Sequence, residues 1–413
     1  MLCCNLQDSD FLTLFQWHRR SFPIRQRMGT VFILRQNAQP FLPKYGTSYS
    51  LSAIKFSLSK EFKQSISILK LLTIFSHQIL HNKQPKDRIL FVCTSYYEPY
   101  CAAPDFEERL RNCLDDIIIR ASIEDDYIPS LFTGCRQSTI PSMFGAPEII
   151  IGEDVTCEKI LHCPEDILRL PKHQMIGVAK RWLEMEEYFL EETKGKLPIH
   201  VTDMQGPFDV AGQLWSYDEV FLLAYEHPDI YGELIQRLTD AFLDFWNAQK
   251  SLLGSNFVGT HLFAWNWVPE DFGASMSIDS LAMISGPFYQ EFYQPYIEQA
   301  ADRMGELAIH SCGDFSATIP PLCETRGVTA LNAGQMSLRG MCDAGLKEDM
   351  LAITCTPFEE MEDLLTVYRE KNSHISISLS NVWNTTKPFA QWTSEDFDRI
   401  KRIEIYMQEQ LSC

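Results

Sequence analysis

Residues 306–314 read Glu306-Leu307-Ala308-Ile309-His310-Ser311-Cys312-Gly313-Asp314. Glu306 to Ser311 has the make-up of a short buried strand, and Gly313 lets the chain turn sharply where it ends. Alternate residues of a strand point to one face, so the His310 imidazole and the Cys312 thiol lie side by side, a metal-ligand spacing. Asp314 then has two uses: a hydrogen bond that orients His310, or a place at the N-terminus of the next helix. An H-x-C pair is common, and taken alone it more often marks a buried thiol beside a satisfied core histidine.

The same unit, a β-rich apolar run followed by a polar or Gly/Pro loop and a helical stretch, repeats along the chain after residue 88. The runs are Ile89 to Thr94, Asp126 to Leu131, Ile199 to Asp203, Phe257 to Phe263, Glu306 to Ser311, Val328 to Asn332, Met350 to Cys355 and Ile375 to Ser380. Eight such units predict an α/β protein with a (β/α)8 TIM barrel, insertions falling after the second and fourth runs. A doubly wound open sheet is the alternative. In a barrel the C-terminal strand ends build the active site, which puts His310 and Cys312 at the mouth. Between the runs, Asp218 to Leu252 has helical periodicity broken at His227-Pro228, and Gly254 ends it. Pro287 to Met304 repeats its aromatics at three and four, with Pro295 kinking or splitting the helix.

Residues 60 to 82 read as one amphipathic helix ahead of the first strand, whereas residues 1 to 59 show no clean period. This predicts an N-terminal extension, 1–59, and a barrel unit with its leading helix, 60–413. Residues 1 to 88 hold 13 Lys/Arg against 4 Asp/Glu, so the remainder, at -28, is more acidic than the whole chain at -19. Such a surface repels phosphate backbones and anionic lipid, which argues against nucleic-acid and membrane partners. The longest apolar stretch, Ile66 to Ile79, is interrupted by Lys70, Ser76, His77 and Gln78. Met1-Leu2-Cys3-Cys4 lacks the features of a secretory signal, so a cytoplasmic location is expected. The 13 scattered cysteines, an odd number, are expected to be reduced thiols, some of them candidate metal ligands. No phosphate-loop, dinucleotide, serine-hydrolase or zincin motif occurs.

Three segments together resemble the uroporphyrinogen decarboxylase superfamily, which includes cobalamin-dependent methyltransferases. Asp203-Met204-Gln205-Gly206-Pro207-Phe208 is similar to its G-P-F/W turn after the third strand. Asp279 to Tyr296 (DSLAMISGPFYQEFYQPY) is similar to its D-x-x-x-x-x-S-P-x-x-F-x-E-F-x-x-P-Y stretch, and His310 to Asp314 to its H-x-C-G-D. The resemblance covers roughly residues 85 to 400 and implies the same barrel. The decarboxylase branch uses an arginine pair after the first strand, an aspartate after the second and a histidine after the eighth. None stands at the matching places, Thr94 to Pro99, Pro129 to Phe132 and Ser380 to Asn384. Arg35 to Tyr45 looks like the R-Q-A-G-R-Y motif with an insertion, but it lacks the second arginine and lies well ahead of the first strand, and it is read as accidental similarity.

The methyltransferase branch binds zinc through H-x-C and a third cysteine after the eighth strand, and the metal captures a substrate thiol for attack on a methylated corrinoid. The resemblance therefore implies His310 and Cys312 as ligands, zinc as cofactor, and methylcobalamin carried by a partner corrinoid protein. Asn381 to Pro388 contains no cysteine, so Cys355 is the nearest replacement by barrel order, with Asp203, His261 and Glu98 as other donors. A second reading is a lyase acting on a tetrapyrrole carboxylate, with Asp314 or Asp203 acting on the pyrrole nitrogens. A third is a non-catalytic corrinoid or tetrapyrrole binder, because His261 to Trp267 (HLFAWNW) is an aromatic wall suited to a flat macrocycle. The expected pocket contacts are Tyr97, Gln205, His261, Trp265, Trp267 and Asp279, joined by Gln335; Asp126 starts its strand and belongs to the opposite end. Asp203 and Asp279 are read equally well as helix caps, and the tryptophans as packing residues.

Overall fold

The computed structural model describes residues 90–94, 105–120, 123, 125, 127–151, 154–261, 268, 273–357, 360–371, 375–380 and 391–411. The expected extension 1–59 and leading helix, the Arg35 to Tyr45 similarity, and Tyr97, Glu98, Asp126, Trp265 and Trp267 lie outside the described residues. The strands are β1 Leu90–Thr94, β2 Leu131–Phe132, β3 Glu148–Ile151, β4 Asp154–Cys157, β5 Ile199–His200, β6 Phe257–Val258, β7 Ala274–Ser277, β8 Leu307–Ser311, β9 Val328–Ala333, β10 Leu351–Cys355 and β11 Ile375–Ser380.

Six strands form a parallel sheet in the order β1-β11-β10-β9-β8-β7, and β2, β5 and β6 form a second parallel sheet. The backbone carries one sheet into the other: Ser275 N donates to Gly259 O at 3.1 Å, and Gly206 N donates to Ser277 O at 2.7 Å. β3 and β4 pair antiparallel as a hairpin and fill the long interval after the second predicted run. Helices between the parallel strands supply the crossovers that such pairing demands.

One expectation is corrected. Nine parallel strands, not eight, stand among the described residues, because Ala274–Ser277 pairs with β8. Its sequence, Ala-Ser-Met-Ser, is too short and polar to read as a strand, and pairing with neighbours, not apolar content, makes it one. The ring is also not closed by a ladder among the described residues, since β1 and β2 belong to different sheets. Side chains tie the segment before β2 to β1 instead. Arg120 Nη2 donates to Cys93 O at 2.6 Å, and Asp125 Oδ2 accepts from Cys93 N at 2.9 Å. Arg120 and Asp125 pair with each other at 3.4 Å, and the guanidinium lies 3.3 Å from the centre of the Tyr127 ring.

The helices follow their punctuation. Tyr217–Glu226 starts at Ser216, whose hydroxyl accepts from Glu219 N, and Pro228 sits in the first turn of Pro228–Leu253. The aromatic stretch splits at Pro295 into Gly286–Phe292 and Gln294–Met304. Its Tyr293 ring stacks on Phe208, centroids 3.7 Å apart, which clamps the residues after Asp279 onto helix Pro207–Leu214. Every residue of β8 is buried. On one face of the sheet Ala308, Ala330, Ile353, Val258 and Val268 form an apolar cluster, each large member contributing about 2 kcal/mol by leaving water. Ala308 pairs with Ala330 and His310 with Asn332, so the polar residues lie one step further along that face, at the C-terminal end. Among the described residues no helix is long and apolar enough to cross a membrane.

Candidate metal centre

The two ring nitrogens of His310 meet different partners, an amide oxygen on one side and a thiol and a carboxylate on the other. Asn332, on the adjacent strand, donates Nδ2–H to Ile353 O at 3.1 Å, which turns its Oδ1 toward His310 Nδ1 at 2.7 Å. An amide oxygen only accepts, so Nδ1 carries the ring hydrogen and Nε2 presents its lone pair. Burial lowers the pKa of His310, with Asp279 and Asp203 pulling the other way, and favours the neutral ring that a ligand must be.

That lone pair faces Cys312 Sγ at 3.5 Å and Asp279 Oδ1 at 3.9 Å. One donor atom from each of Asp279, His310 and Cys312 lies within 4.8 Å of the other two, forming the three-donor group found among the described residues. Nitrogen, sulfur and carboxylate oxygen from three residues form the kind of set that holds zinc while leaving a position for substrate. Burial, followed by the Asp279 carboxylate, pushes the Cys312 thiol up to about 12. A divalent cation between these atoms would reverse that balance and favour the thiolate. Gly313 turns the chain with φ 76° after Cys312, and its N–H donates to Gln335 Oε1. Gly334 leaves room beside the donors: a Cβ there would meet Cys312 Sγ at 3.3 Å and His310 Cε1 at 3.5 Å.

Asp279 is placed by the long aromatic motif and the G-P-F turn together. Asp209, fully buried on helix Pro207–Leu214, accepts from Asp279 N at 2.6 Å and Ser280 N at 2.9 Å. Burial and the nearby Asp279 charge push Asp209 up to about 7. Asp279 Oδ1 in turn accepts from Cys312 N at 2.8 Å, and Gln205 Nε2 lies 3.5 Å from its Oδ2.

A second polar group adjoins the first. His261 Nε2 lies 3.0 Å from Asp203 Oδ1 and 2.9 Å from Ser277 Oγ, while its Nδ1 lies 3.0 Å from Ser275 Oγ. Burial opposes the charge on Asp203, but the His261 ring and the Ser277 hydroxyl outweigh it and hold the carboxyl below the ordinary aspartate range.

The sequence-predicted residues therefore separate. His310, Cys312, Asp279 and Gln205 come together, and Asp203 and His261 form the neighbouring pair. Cys355 does not join the three grouped donors. It ends β10, two strands from β8, and two strand spacings are about 10 Å. Its buried thiol is pushed up to about 12 by desolvation alone. Asp314 does not orient His310 either: it is exposed and accepts from Ser316 N at 3.0 Å, ahead of the turn Ser316–Thr318. Asn332, Asp209, Ser275 and Ser277 were not singled out from the sequence. The available signal for Asn332 was an amide closing an otherwise apolar strand run.

No family model and no curated protein matches this chain. Solved structures do match in fold. A methyltransferase from Methanosarcina mazei aligns with TM-score 0.58 at 12% identity, covering 79% of this chain and 97% of that one. A B12-independent methionine synthase from Shewanella sp. W3-18-1, in complex with selenomethionine, aligns with TM-score 0.45 at 11% identity, covering 78% and 99%. At such identity the likeness concerns the fold.

Proposed function

We propose that this chain is a methyltransferase that uses a zinc ion held by Asp279, His310 and Cys312 to methylate a thiol, with a corrinoid protein as methyl donor. The observation that carries the reading is the convergence of a carboxylate oxygen, an imidazole lone pair and a sulfur at the C-terminal end of parallel strands. The fold likeness to a protein named as a methyltransferase supports it, as do the motifs around Asp203, Asp279 and His310. Closure of the strands into a barrel belongs to the same reading, with the Arg120 and Asp125 contacts to Cys93 as its support.

When bound, zinc supplies a Lewis acid that stabilises a thiolate at neutral pH. The protein's share is preparation. Asn332 fixes the tautomer of His310, Asp209 fixes the backbone of Asp279, and the backbone N–H of Cys312 holds the Asp279 carboxylate beside the sulfur. In the overall step the thiol loses its proton, a sulfur–carbon bond forms, and the carbon–cobalt bond breaks with its electron pair left on cobalt. The test incubates zinc-loaded protein with methylcobalamin and 2-mercaptoethanol and follows the corrinoid spectrum. Thiol-dependent demethylation that disappears in His310→Ala is expected. Protein that binds no zinc, or demethylation at the same rate without it, overturns the reading.

A further inference from the structure

Cys312 is bracketed by the loop that follows β9. Gly334 N donates to Ser311 O at 3.0 Å and Gly313 N donates to Gln335 Oε1, so this loop is tied to the residues on both sides of Cys312. The approach is close, since a Cβ on Gly334 would stand 3.3 Å from Cys312 Sγ. Glycine at that position lets the backbone rest against the sulfur, and any larger residue would crowd it.

These ties orient the Gln335 amide. A backbone N–H needs an oxygen, so Oε1 is the end that faces Gly313, and the NH2 end is left to donate. Its hydrogen bond goes to Cys312, where it opposes burial and the Asp279 carboxylate by drawing the thiol's pKa down. The other polar atoms at this sulfur are acceptors, the lone pair of His310 Nε2 at 3.5 Å and the carboxylate of Asp279. Gln335 supplies the donor.

A metal centre that captures a thiol holds two sulfurs, the protein's and the substrate's, and only the second is to take the methyl group. Methylation of Cys312 would form the sulfur–carbon bond on the protein and spoil one of three donors. A thiolate whose lone pair is occupied by an N–H donor is the poorer nucleophile, because the donor stabilises the charge that would attack. We propose that Gln335 is a positioning residue that keeps Cys312 a ligand and not a nucleophile, leaving the methyl group to the sulfur of the substrate. This rests on the reading of Asp279, His310 and Cys312 as a thiol-binding metal centre.

The experiment uses the full chain and two variants of this exposed residue. Gln335→Glu keeps an oxygen for Gly313 N–H and loses the donor, whereas Gln335→Met fills the space with neither. Loaded with cobalt(II), both variants should show their sulfur-to-metal absorption at longer wavelength than the unmodified chain, because a sulfur without the donor holds its electrons less tightly. The zinc-loaded proteins are then treated with iodoacetamide, which forms a sulfur–carbon bond as iodide leaves, and the peptides are followed by mass spectrometry. Cys312 should be alkylated about tenfold faster in the variants, with the half-buried Cys323 as an unchanged reference. An unmoved absorption marks a residue that only covers the sulfur and overturns the assignment, as does an unchanged alkylation rate; both outcomes leave the metal centre standing. Failure of the unmodified chain to bind cobalt overturns both readings. Either variant decides the matter where the other does not fold.

Discussion

His310, near the end of β8, and His261, three residues beyond β6, are both buried, and their surroundings make opposite use of the same ring. His261 has both nitrogens within hydrogen-bond distance of hydroxyl or carboxylate oxygens, and the buried His200 likewise lies between the Ser130 hydroxyl and the Thr260 backbone carbonyl at 2.7 Å each. His310 has one nitrogen anchored by Asn332, while the other faces a sulfur and a carboxylate at 3.5 and 3.9 Å. The sulfur contact is a hydrogen-bond distance for a thiol, so a cation binding there would take the place of the thiol proton. A histidine's identity is thus neutral between a structural role and a ligand role, and the kind of atom facing each nitrogen decides.

The sharpest way to break this contrast is substitution of each ring. His310→Ala should weaken zinc binding more than roughly a hundredfold, measured by competition with a chromophoric chelator, while His261→Ala keeps its zinc. Equal loss in both would erase the distinction. His261→Ala should instead cost about 2–3 kcal/mol in urea denaturation, because the buried side of Asp203 and two serine hydroxyls lose their partner. A cost no larger than that of an average surface change would mean that the network contributes little.

Asn332→Ala tests the anchoring of His310 and should reduce zinc affinity roughly ten- to a hundredfold in a chain that still unfolds cooperatively. The pH dependence probes the third partner. With its pKa pushed up to about 12, the metal-free Cys312 thiol is protonated at neutral pH, and binding must release that proton. Zinc affinity should therefore rise about tenfold per pH unit between roughly pH 7 and 8.5, the buried His310 being already neutral there. A flat profile would remove the sulfur from the ligand set. Asp314→Ala carries the smallest expectation, with zinc affinity unchanged and stability altered by about 0.5 kcal/mol or less, since its partner is the exposed start of a turn.

Much of this was legible in advance for a local reason. The strands Leu307–Ser311, Val328–Ala333, Leu351–Cys355 and Ile375–Ser380 are apolar runs, and the helix breaks at Pro228 and Pro295 follow from the missing proline N–H. Ala274–Ser277 was hidden because its partners, not its residues, make it a strand. The third donor was sought by analogy on Cys355, although a carboxylate two residues beyond β7 stands one strand from His310. Asp279 was seen as a pocket residue but not as a ligand, because its approach depends on Asp209, 70 residues earlier.

The order of strands and helices, and the shared face of His310 and Cys312, were settled by the chain alone, since side-chain alternation needs only neighbours along the backbone. Which oxygen joins that pair, and which partners each histidine's nitrogens meet, were settled by contacts between strands distant in sequence. Hydrogen-bond saturation belongs to the assembled rim and has no counterpart in the order of residues.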